Sequence, residues 1–167
     1  MKLSKDIFDK LVLELEKTPK VTESEFNKRA ISVPEFTRLK NKASKILGLT
    51  GTLVHYSTRN ENLNKIISDI TKRKTSDILS LHTIESLQNC ETKPHVDTLS
   101  DLTLNILVND EFEGGEFYLN GELYDGMREK GDYVMYKGNE ETHAVTIVKA
   151  GVRKTLVVWY HTPRGMI

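Results

Sequence analysis

The spacing of apolar residues changes once along the chain, from a helical period to alternation. Within residues 3–16 and 60–74, apolar side chains recur every three or four positions, which predicts amphipathic helices. Pro34 opens a third segment of this kind, which ends near Gly48. From about residue 80 onward, apolar and β-branched residues alternate with polar ones between turns rich in glycine and asparagine. Helices followed by many short antiparallel strands predict an α+β fold.

Six segments beyond residue 80 are predicted strands: residues 81–87, 103–108, 116–119, 133–136, 144–148 and 154–160. Another short strand is predicted over residues 53–56. The sequence contains no internal repeat and no linker-like segment. We therefore predict a single domain over residues 1–167, with helical support over residues 1–75 and a strand-rich core over about residues 80–162.

Charge and cysteine content restrict the partners and the compartment of the protein. Lys and Arg together number 24, as do Asp and Glu, so the sequence has no basic footprint for nucleic acid or an anionic membrane. The first six residues are rich in charge, and no apolar run is long enough to cross a membrane. Cys90 is the single cysteine, which precludes an intrachain disulfide. These features predict a cytoplasmic protein without nucleic-acid or membrane partners.

The tripeptide His95-Val96-Asp97 is a candidate for part of a metal site. In an extended strand, residues two positions apart point to the same face, so the imidazole and the carboxylate would lie together. One carboxylate and two imidazoles form the facial ligand set of non-haem Fe(II) sites. The motif alone is weak, because a strand with surface His and Asp fits it equally well. The second imidazole would come from one of four other histidines: His55, His82, His143 or His161.

Further motifs follow Asp97 in a fixed order. A Gly-Gly pair occupies positions 114–115, His143 comes 48 residues after His95, and Arg153 comes ten residues after His143. With the His-x-Asp motif and the last predicted strand, this series resembles the Fe(II)/2-oxoglutarate-dependent dioxygenase superfamily. The similarity is greatest to its prolyl and lysyl hydroxylase-like branch and covers roughly residues 81–160.

The resemblance implies an architecture, a metal site and a co-substrate. The implied core is a double-stranded β-helix, the jelly-roll fold of the cupins, supported by the N-terminal helices. His95, Asp97 and His143 match the family's metal ligands, which bind Fe(II). Arg153 matches the basic residue that holds the distal carboxylate of 2-oxoglutarate, and a planar guanidinium suits that bidentate contact. The reaction also consumes O2 and places a hydroxyl group on an unactivated C–H bond.

Three polar strand residues are further candidates for co-substrate binding. Thr155 lies two residues after Arg153 and is predicted to share its strand face. Thr103 and Asn105 alternate with apolar neighbours, so we expect their side chains to face the barrel interior. Relatives that sense oxygen place a tyrosine near the distal carboxylate at a position that corresponds to Leu107 here. This departure leaves the contact to Asn105 or Thr155.

The resemblance leaves the substrate open. A prolyl or lysyl residue of a protein or peptide is the first expectation, and a free amino acid or another small molecule is the alternative. A non-catalytic metal-binding β-sandwich module is a rival of a different class, because one barrel fold hosts many functions. The signature of the nucleic-acid demethylases of the superfamily is missing after His143. The sequence makes no prediction about the oligomeric state.

Overall fold

The computed structural model of the protein describes residues 1–22 and 52–161. The helices of these ranges are α1 (Lys5–Lys17) and α2 (Glu61–Thr71), and a 3-10 turn (Thr75–Asp77) follows α2. The strands are β1 (Thr52–His55), β2 (Ile78–Ser86), β3 (Thr92–His95), β4 (Leu102–Leu107), β5 (Phe112–Gly114), β6 (Phe117–Leu119), β7 (Glu122–Leu123), β8 (Tyr133–Tyr136), β9 (His143–Val145), β10 (Val148–Gly151) and β11 (Arg153–Tyr160).

Both described helices begin at side-chain caps. The Ser4 hydroxyl accepts a hydrogen bond from the Ile7 N–H (3.3 Å) at the start of α1, and Asn60 Oδ1 accepts one from the Leu63 N–H (3.1 Å) at the start of α2. These two helices match the helices predicted at 3–16 and 60–74. The third predicted helix, which begins at Pro34, lies outside the described residues. No helix within 1–22 and 52–161 is long and apolar enough to span a membrane.

Five antiparallel strands form the sheet that we call the major sheet, in the order β1-β2-β11-β4-β8. One face packs against α1 and α2. The buried residues of this contact are Leu11, Leu15, Leu63 and Ile67 from the helices and Leu81, Leu104, Ile106, Leu156, Val158 and Tyr160 from the sheet. Side chains alternate along a strand, so the remaining residues of β4 and β11 point to the opposite face. That face carries Arg153, Thr155, Asn105 and Thr103.

The opposite face of the major sheet is covered by two smaller sheets. The four-stranded one, which we call the minor sheet, has the order β3-β9-β6-β7, and β5 pairs with β10. Phe117 of β6 packs against Leu107, Val134 and Tyr136 of the major sheet. We call the space between the facing sheets the barrel interior. Two facing antiparallel sheets with helices on one outer face confirm the predicted α+β class and the jelly-roll core, while the single domain over residues 1–167 stays a prediction.

Two local predictions differ from the structure. The segment 144–148 was predicted as one strand, but β9 ends at Val145 and β10 begins at Val148, in a different sheet. The chain changes sheets at Thr146, whose N–H donates to Glu116 O and whose hydroxyl accepts from the Glu116 N–H. The second difference concerns His95 and Asp97, because β3 ends at His95 and Asp97 lies in the loop that follows.

Candidate metal centre

The structure brings His95, Asp97 and His143 together at one end of the barrel. His95 Nε2 lies 3.4 Å from Asp97 Oδ1, and His143 Nε2 lies 3.3 Å from Asp97 Oδ2. One ligand atom from each of the three residues lies within 4.8 Å of the other two. β3 and β9 pair with His95 opposite His143, so the two imidazoles come from neighbouring strands. This is a group of donors that could hold a metal ion, and we call it the metal triad.

Backbone carbonyls fix the orientation of both imidazoles. His95 Nδ1 lies 2.8 Å from Lys93 O, and His143 Nδ1 lies 3.0 Å from Glu141 O. A carbonyl oxygen can only accept a hydrogen bond, so each Nδ1 carries the proton and donates it. In a neutral imidazole, the lone pair is then on Nε2, the atom that faces Asp97. Both histidines therefore present a metal-binding nitrogen to the same point.

Asp97 is held by the loop that follows β3. Its N–H donates to Gly138 O (2.7 Å), and the Ser100 N–H donates to Asp97 O (2.8 Å). The Thr103 hydroxyl donates to Asp97 Oδ2 (3.1 Å) and lies 2.9 Å from the Ser100 hydroxyl. Thr103 was predicted to face the co-substrate, and here its hydroxyl contacts the carboxylate of the triad. Ser100 was not predicted, although serine and aspartate are both residues that favour turns.

The electrostatics of the triad keep Asp97 ionised. Burial raises the pKa of the Asp97 carboxyl, but hydrogen bonds and charges from His143 and His95 outweigh burial and hold this pKa below its usual value. Burial lowers the pKa of His143, and the contact with Asp97 more than offsets it, so the pKa is raised. The ligand-free triad thus holds a carboxylate between two imidazoles. A divalent cation bound there would take the place of shared protons.

Gly138 packs against the loop that carries Asp97, and a side chain at this position should weaken metal binding. A Cβ atom at this position would lie 2.4 Å from Thr103 Oγ1 and 3.1 Å from Asp97 Cβ. Gly138→Ala should therefore displace the carboxylate. We expect metal affinity to fall roughly 10–100-fold, the usual effect of losing a group that orients a ligand. Calorimetric titration of Mn(II) into the purified variant measures this.

Gly121→Ala is the control for Gly138→Ala. A Cβ atom at Gly121 would meet no atom within 4 Å, but its φ of +80° disfavours a side chain. This variant should lose some stability and keep wild-type metal affinity. Wild-type affinity in Gly138→Ala would contradict the role given to the loop.

Arg153 is a buried guanidinium on the interior face of β11, with 3% of the residue exposed. Its Nε and Nη2 atoms have no hydrogen-bond partner among the residues that the structure describes. Burial lowers the pKa of Arg153 to about 10, so the group remains charged at neutral pH. The Gly115 backbone lies against its stem, because a Cβ atom there would come within 2.8 Å of Arg153 Cδ. The chain therefore holds a positive charge in the interior without a described acidic partner.

The neighbours of Arg153 on the interior face supply few polar groups. Thr155 is buried on the same strand face and pairs with Leu107 of β4. Leu107, where relatives that sense oxygen place a tyrosine, is fully buried and apolar. Asn105 lies on the same face of β4, and its Oδ1 has no hydrogen-bond partner among the described residues. Arg153 thus leaves two buried donor atoms, and Asn105 one buried acceptor atom, without a partner among the described residues.

Tyr136 is an interior residue that sequence analysis did not identify. It pairs with Thr103 across β8 and β4, and its ring centroid lies 4.6 Å from that of His143. The strand was predicted, but a strand with a tyrosine at each end does not reveal which tyrosine faces inward. Tyr133, at the other end of β8, packs on the helix side. Tyr136 thus lies beside the metal triad.

Two other histidines also line the interior but do not join the triad. His55 of β1 and His82 of β2 pair across the major sheet, with ring centroids 5.6 Å apart. Burial lowers the pKa of His82 to about 3, and its Nδ1 lies 2.9 Å from the Ser80 hydroxyl. Its ring also packs nearly perpendicular to the Trp159 ring, with the ring centroids 5.0 Å apart. Of the four candidates for the second imidazole, the structure brings His143 to His95 and Asp97.

No protein-family model and no curated protein matches the sequence. The structure is similar to that of an oxidoreductase of the 2OG-Fe(II) oxygenase family from Burkholderia pseudomallei (18% identity, TM-score 0.48). The match covers 60% of this chain but only 51% of the Burkholderia chain. A prolyl-4-hydroxylase from Pseudomonas putida is similar over 61% of this chain and 58% of its own (17% identity, TM-score 0.46).

A third similar structure extends over most of both proteins. It is the viral collagen prolyl hydroxylase of Paramecium bursaria Chlorella virus-1 in complex with 2OG, with a TM-score of 0.55 and 15% identity. The match covers 78% of this chain and 90% of the viral one. The chain therefore has the double-stranded β-helix fold of this prolyl hydroxylase, as the resemblance in its sequence implies.

Proposed function

We propose that the protein is an Fe(II)- and 2-oxoglutarate-dependent dioxygenase that hydroxylates an unactivated C–H bond of a prolyl or lysyl residue in a protein or peptide. One observation carries this proposal. A buried guanidinium without a described acidic partner lies in the same barrel as a His-Asp-His triad. The triad suits a metal ion and the guanidinium suits a carboxylate, and 2-oxoglutarate needs both.

The donor set of the triad fits Fe(II). Two imidazole nitrogens and one carboxylate oxygen from His95, His143 and Asp97 form a facial set that leaves other coordination positions open. When bound, the iron with O2 and 2-oxoglutarate supplies the oxidation of the C–H bond, which no side chain can perform. The chain's own part is to hold the ligand atoms and to exclude water. Phe117 supports the exclusion of water, because its buried ring lies 6.5 Å from the His143 ring.

Arg153 fits the distal carboxylate of the co-substrate. An ionised group without a partner is costly to bury, so a buried guanidinium favours an anion beside it. The planar fork of Arg153 matches a carboxylate through two parallel hydrogen bonds. Thr155 and Asn105 share the interior with it, and the Thr155 hydroxyl and the Asn105 amide N–H are proposed to donate hydrogen bonds to the same ligand. Gly115 supports this arrangement, since its missing side chain leaves room for the Arg153 stem.

The proposed substrate class rests on the sequence resemblance and on the fold shared with a viral collagen prolyl hydroxylase. A free amino acid or another small molecule would undergo the same chemistry. The formal net charge of zero favours neither nucleic acid nor a membrane surface as a partner. A cytoplasmic location stays a prediction from the sequence.

The test is turnover of 2-oxoglutarate by the wild-type protein loaded with Fe(II). We expect succinate to form in the presence of O2, and to form faster when a peptide substrate is supplied. Parallel reactions contain proline-rich peptides, lysine-containing peptides, free proline or free lysine, and mass spectrometry identifies a product heavier by one oxygen atom. Hydroxylation of a free amino acid alone would replace the proposed substrate class. Metal binding without binding or turnover of 2-oxoglutarate would favour the non-catalytic module.

A further inference from the structure

The interior face of the major sheet carries a row of side chains that leads to the metal triad. Ser80 of β2 pairs with Trp159 of β11, and Trp159 pairs with Thr103 of β4. The Thr103 hydroxyl donates to Asp97 Oδ2 (3.1 Å). His82 lies two residues after Ser80, on the same face of β2. The two β2 residues therefore belong to the wall that extends from Asp97 towards β1.

Ser80 and His82 form a buried polar pair, which we call the His-Ser pair. Each residue is 1% exposed, and the Ser80 hydroxyl oxygen lies 2.9 Å from His82 Nδ1. The Trp159 ring packs nearly perpendicular to the imidazole and restricts its orientation. Burial lowers the pKa of His82 to about 3, so the imidazole is neutral at physiological pH. The pair is thus held in place and carries no charge.

The contact between Ser80 and His82 uses only part of their hydrogen-bonding capacity. A neutral imidazole has one donor and one acceptor, and a hydroxyl has one donor and two acceptor lone pairs. When His82 Nδ1 donates to the Ser80 oxygen, Nε2 keeps a lone pair that can accept a further hydrogen bond. Buried polar groups are nearly always paired, so a wall with spare acceptors favours a ligand that brings donors.

The His-Ser pair lies apart from the groups assigned to the co-substrate. Arg153 stands opposite Ser86 at one end of the β11–β2 ladder, whereas Trp159 stands opposite Ser80 near the other end. The stretch of extended strand from Arg153 to Trp159 spans roughly 20 Å. The pair therefore faces the triad side of the interior, where the reacting side chain of a substrate has to approach the metal.

The two peptide substrates that the proposed function leaves open offer different groups to this wall. A prolyl side chain has no hydrogen-bond donor and suits an apolar wall. A lysyl side chain ends in an ammonium group with three donors and no acceptor, on a flexible apolar stem. An ammonium group loses its water when it enters the interior, so it needs acceptors there. A neutral imidazole accepts a hydrogen bond from it without repelling its charge.

We infer that the substrate residue is a lysyl residue, and that His82 and Ser80 determine this specificity by accepting hydrogen bonds from its ammonium group. This inference rests on the proposed function. The acceptors are His82 Nε2 and the Ser80 hydroxyl oxygen. The stem of the lysyl side chain then lies between the His-Ser pair and the metal triad, which brings its C–H bonds towards the metal.

The test is anaerobic calorimetric titration of three peptides into the protein loaded with Mn(II) and 2-oxoglutarate. The peptides share one alanine-rich sequence and carry lysine, norleucine or proline at the central position. Wild type should bind the lysine peptide about tenfold or more tightly than the norleucine peptide, because norleucine keeps the stem but loses the hydrogen bond from a charged group. The proline peptide should also bind more weakly, and His82→Leu should bind the lysine and norleucine peptides equally.

Glu85→Gln is the matched control for His82→Leu. Glu85 lies on the same strand but on the opposite face, where its carboxylate pairs with Lys154 Nζ (3.4 Å). This variant should prefer the lysine peptide as wild type does. His82→Gln covers the case in which His82→Leu does not fold, because the amide oxygen can still accept from an ammonium group. It should keep part of the preference, and the comparison of the three peptides on wild type needs no variant.

Each outcome has a distinct meaning. Equal affinity of wild type for the lysine and norleucine peptides, tighter binding of the proline peptide, or no binding of any peptide would overturn the inference and leave the proposed function standing. A lysine preference that persists in His82→Leu would overturn the role of the His-Ser pair. If the wild type itself does not bind 2-oxoglutarate, the proposed function fails and the inference with it.

Discussion

Arg153→Ala should weaken 2-oxoglutarate binding by roughly thirtyfold or more, because truncating one partner of a buried charge pair costs about 2–5 kcal/mol. Metal affinity should stay near the wild-type value, since Arg153 is not part of the triad. The metal-loaded, ligand-free variant should be no less stable than wild type, because the substitution removes a buried charge that has no described partner. Anaerobic calorimetry and thermal unfolding, with and without 2-oxoglutarate, measure both effects.

Two further variants sharpen this prediction. Arg153→Lys keeps the charge but loses the planar fork, so its affinity for 2-oxoglutarate should lie between those of wild type and Arg153→Ala. Lys154→Ala is the control, because Lys154 lies next along β11 on the other face and its Nζ pairs with Glu85 (3.4 Å). Equal affinity of wild type and Arg153→Ala would mean that the anion site lies elsewhere or is absent.

Asp97→Ala should abolish metal-dependent turnover, with the fold intact. The substitution removes the anionic member of the triad and leaves two neutral imidazoles. Loss of a residue that merely orients a ligand costs roughly 10–100-fold in metal affinity, and loss of the ligand itself should exceed this. The backbone hydrogen bonds of residue 97 to Gly138 and Ser100 survive the change. Metal titration, succinate formation and circular dichroism together measure the outcome.

Asp101→Asn is the matched control for Asp97→Ala. It also removes one negative charge, from a position four residues further along the chain, but this carboxylate faces Arg73 (3.1 Å) and not the histidines. It should retain metal binding and turnover. If Asp97→Ala keeps wild-type affinity for Mn(II) while Asp101→Asn loses it, the assignment of the carboxylate ligand is wrong.

The sequence predicted the elements whose pattern is local. The α1 and α2 helices follow from apolar spacing, and the structure adds the caps Ser4 and Asn60, which lie within a turn of the residues they bond. The fold was predicted through the resemblance to the Fe(II)/2-oxoglutarate-dependent dioxygenases, which depends on the order of four residues along the chain: His95, Asp97, His143 and Arg153. The structure brings the first three together and buries the fourth.

The remaining features depend on contacts that no local pattern contains. The alternation through residues 144–148 cannot report that Thr146 bonds to Glu116 and ends the strand. Tyr133 and Tyr136 occupy the two ends of one strand, and only pairing with β4 determines that Tyr136 faces inward. In the sequence, Gly138 looks like an ordinary turn residue, and only the structure shows that Thr103 and Asp97 leave no room for a side chain there. Each of these features joins segments that are distant in sequence.

The backbone acceptors of the two histidines have a consequence for how the centre tolerates mutation. Every residue type carries a carbonyl, so no side-chain substitution at Lys93 or Glu141 deletes the group that orients His95 or His143. The orientation of Asp97 depends instead on the hydroxyl of Thr103 and on the missing side chain of Gly138. If a chain of this fold accumulates substitutions under weak selection, the carboxylate of the triad should therefore lose its orientation first, while the two imidazoles keep theirs.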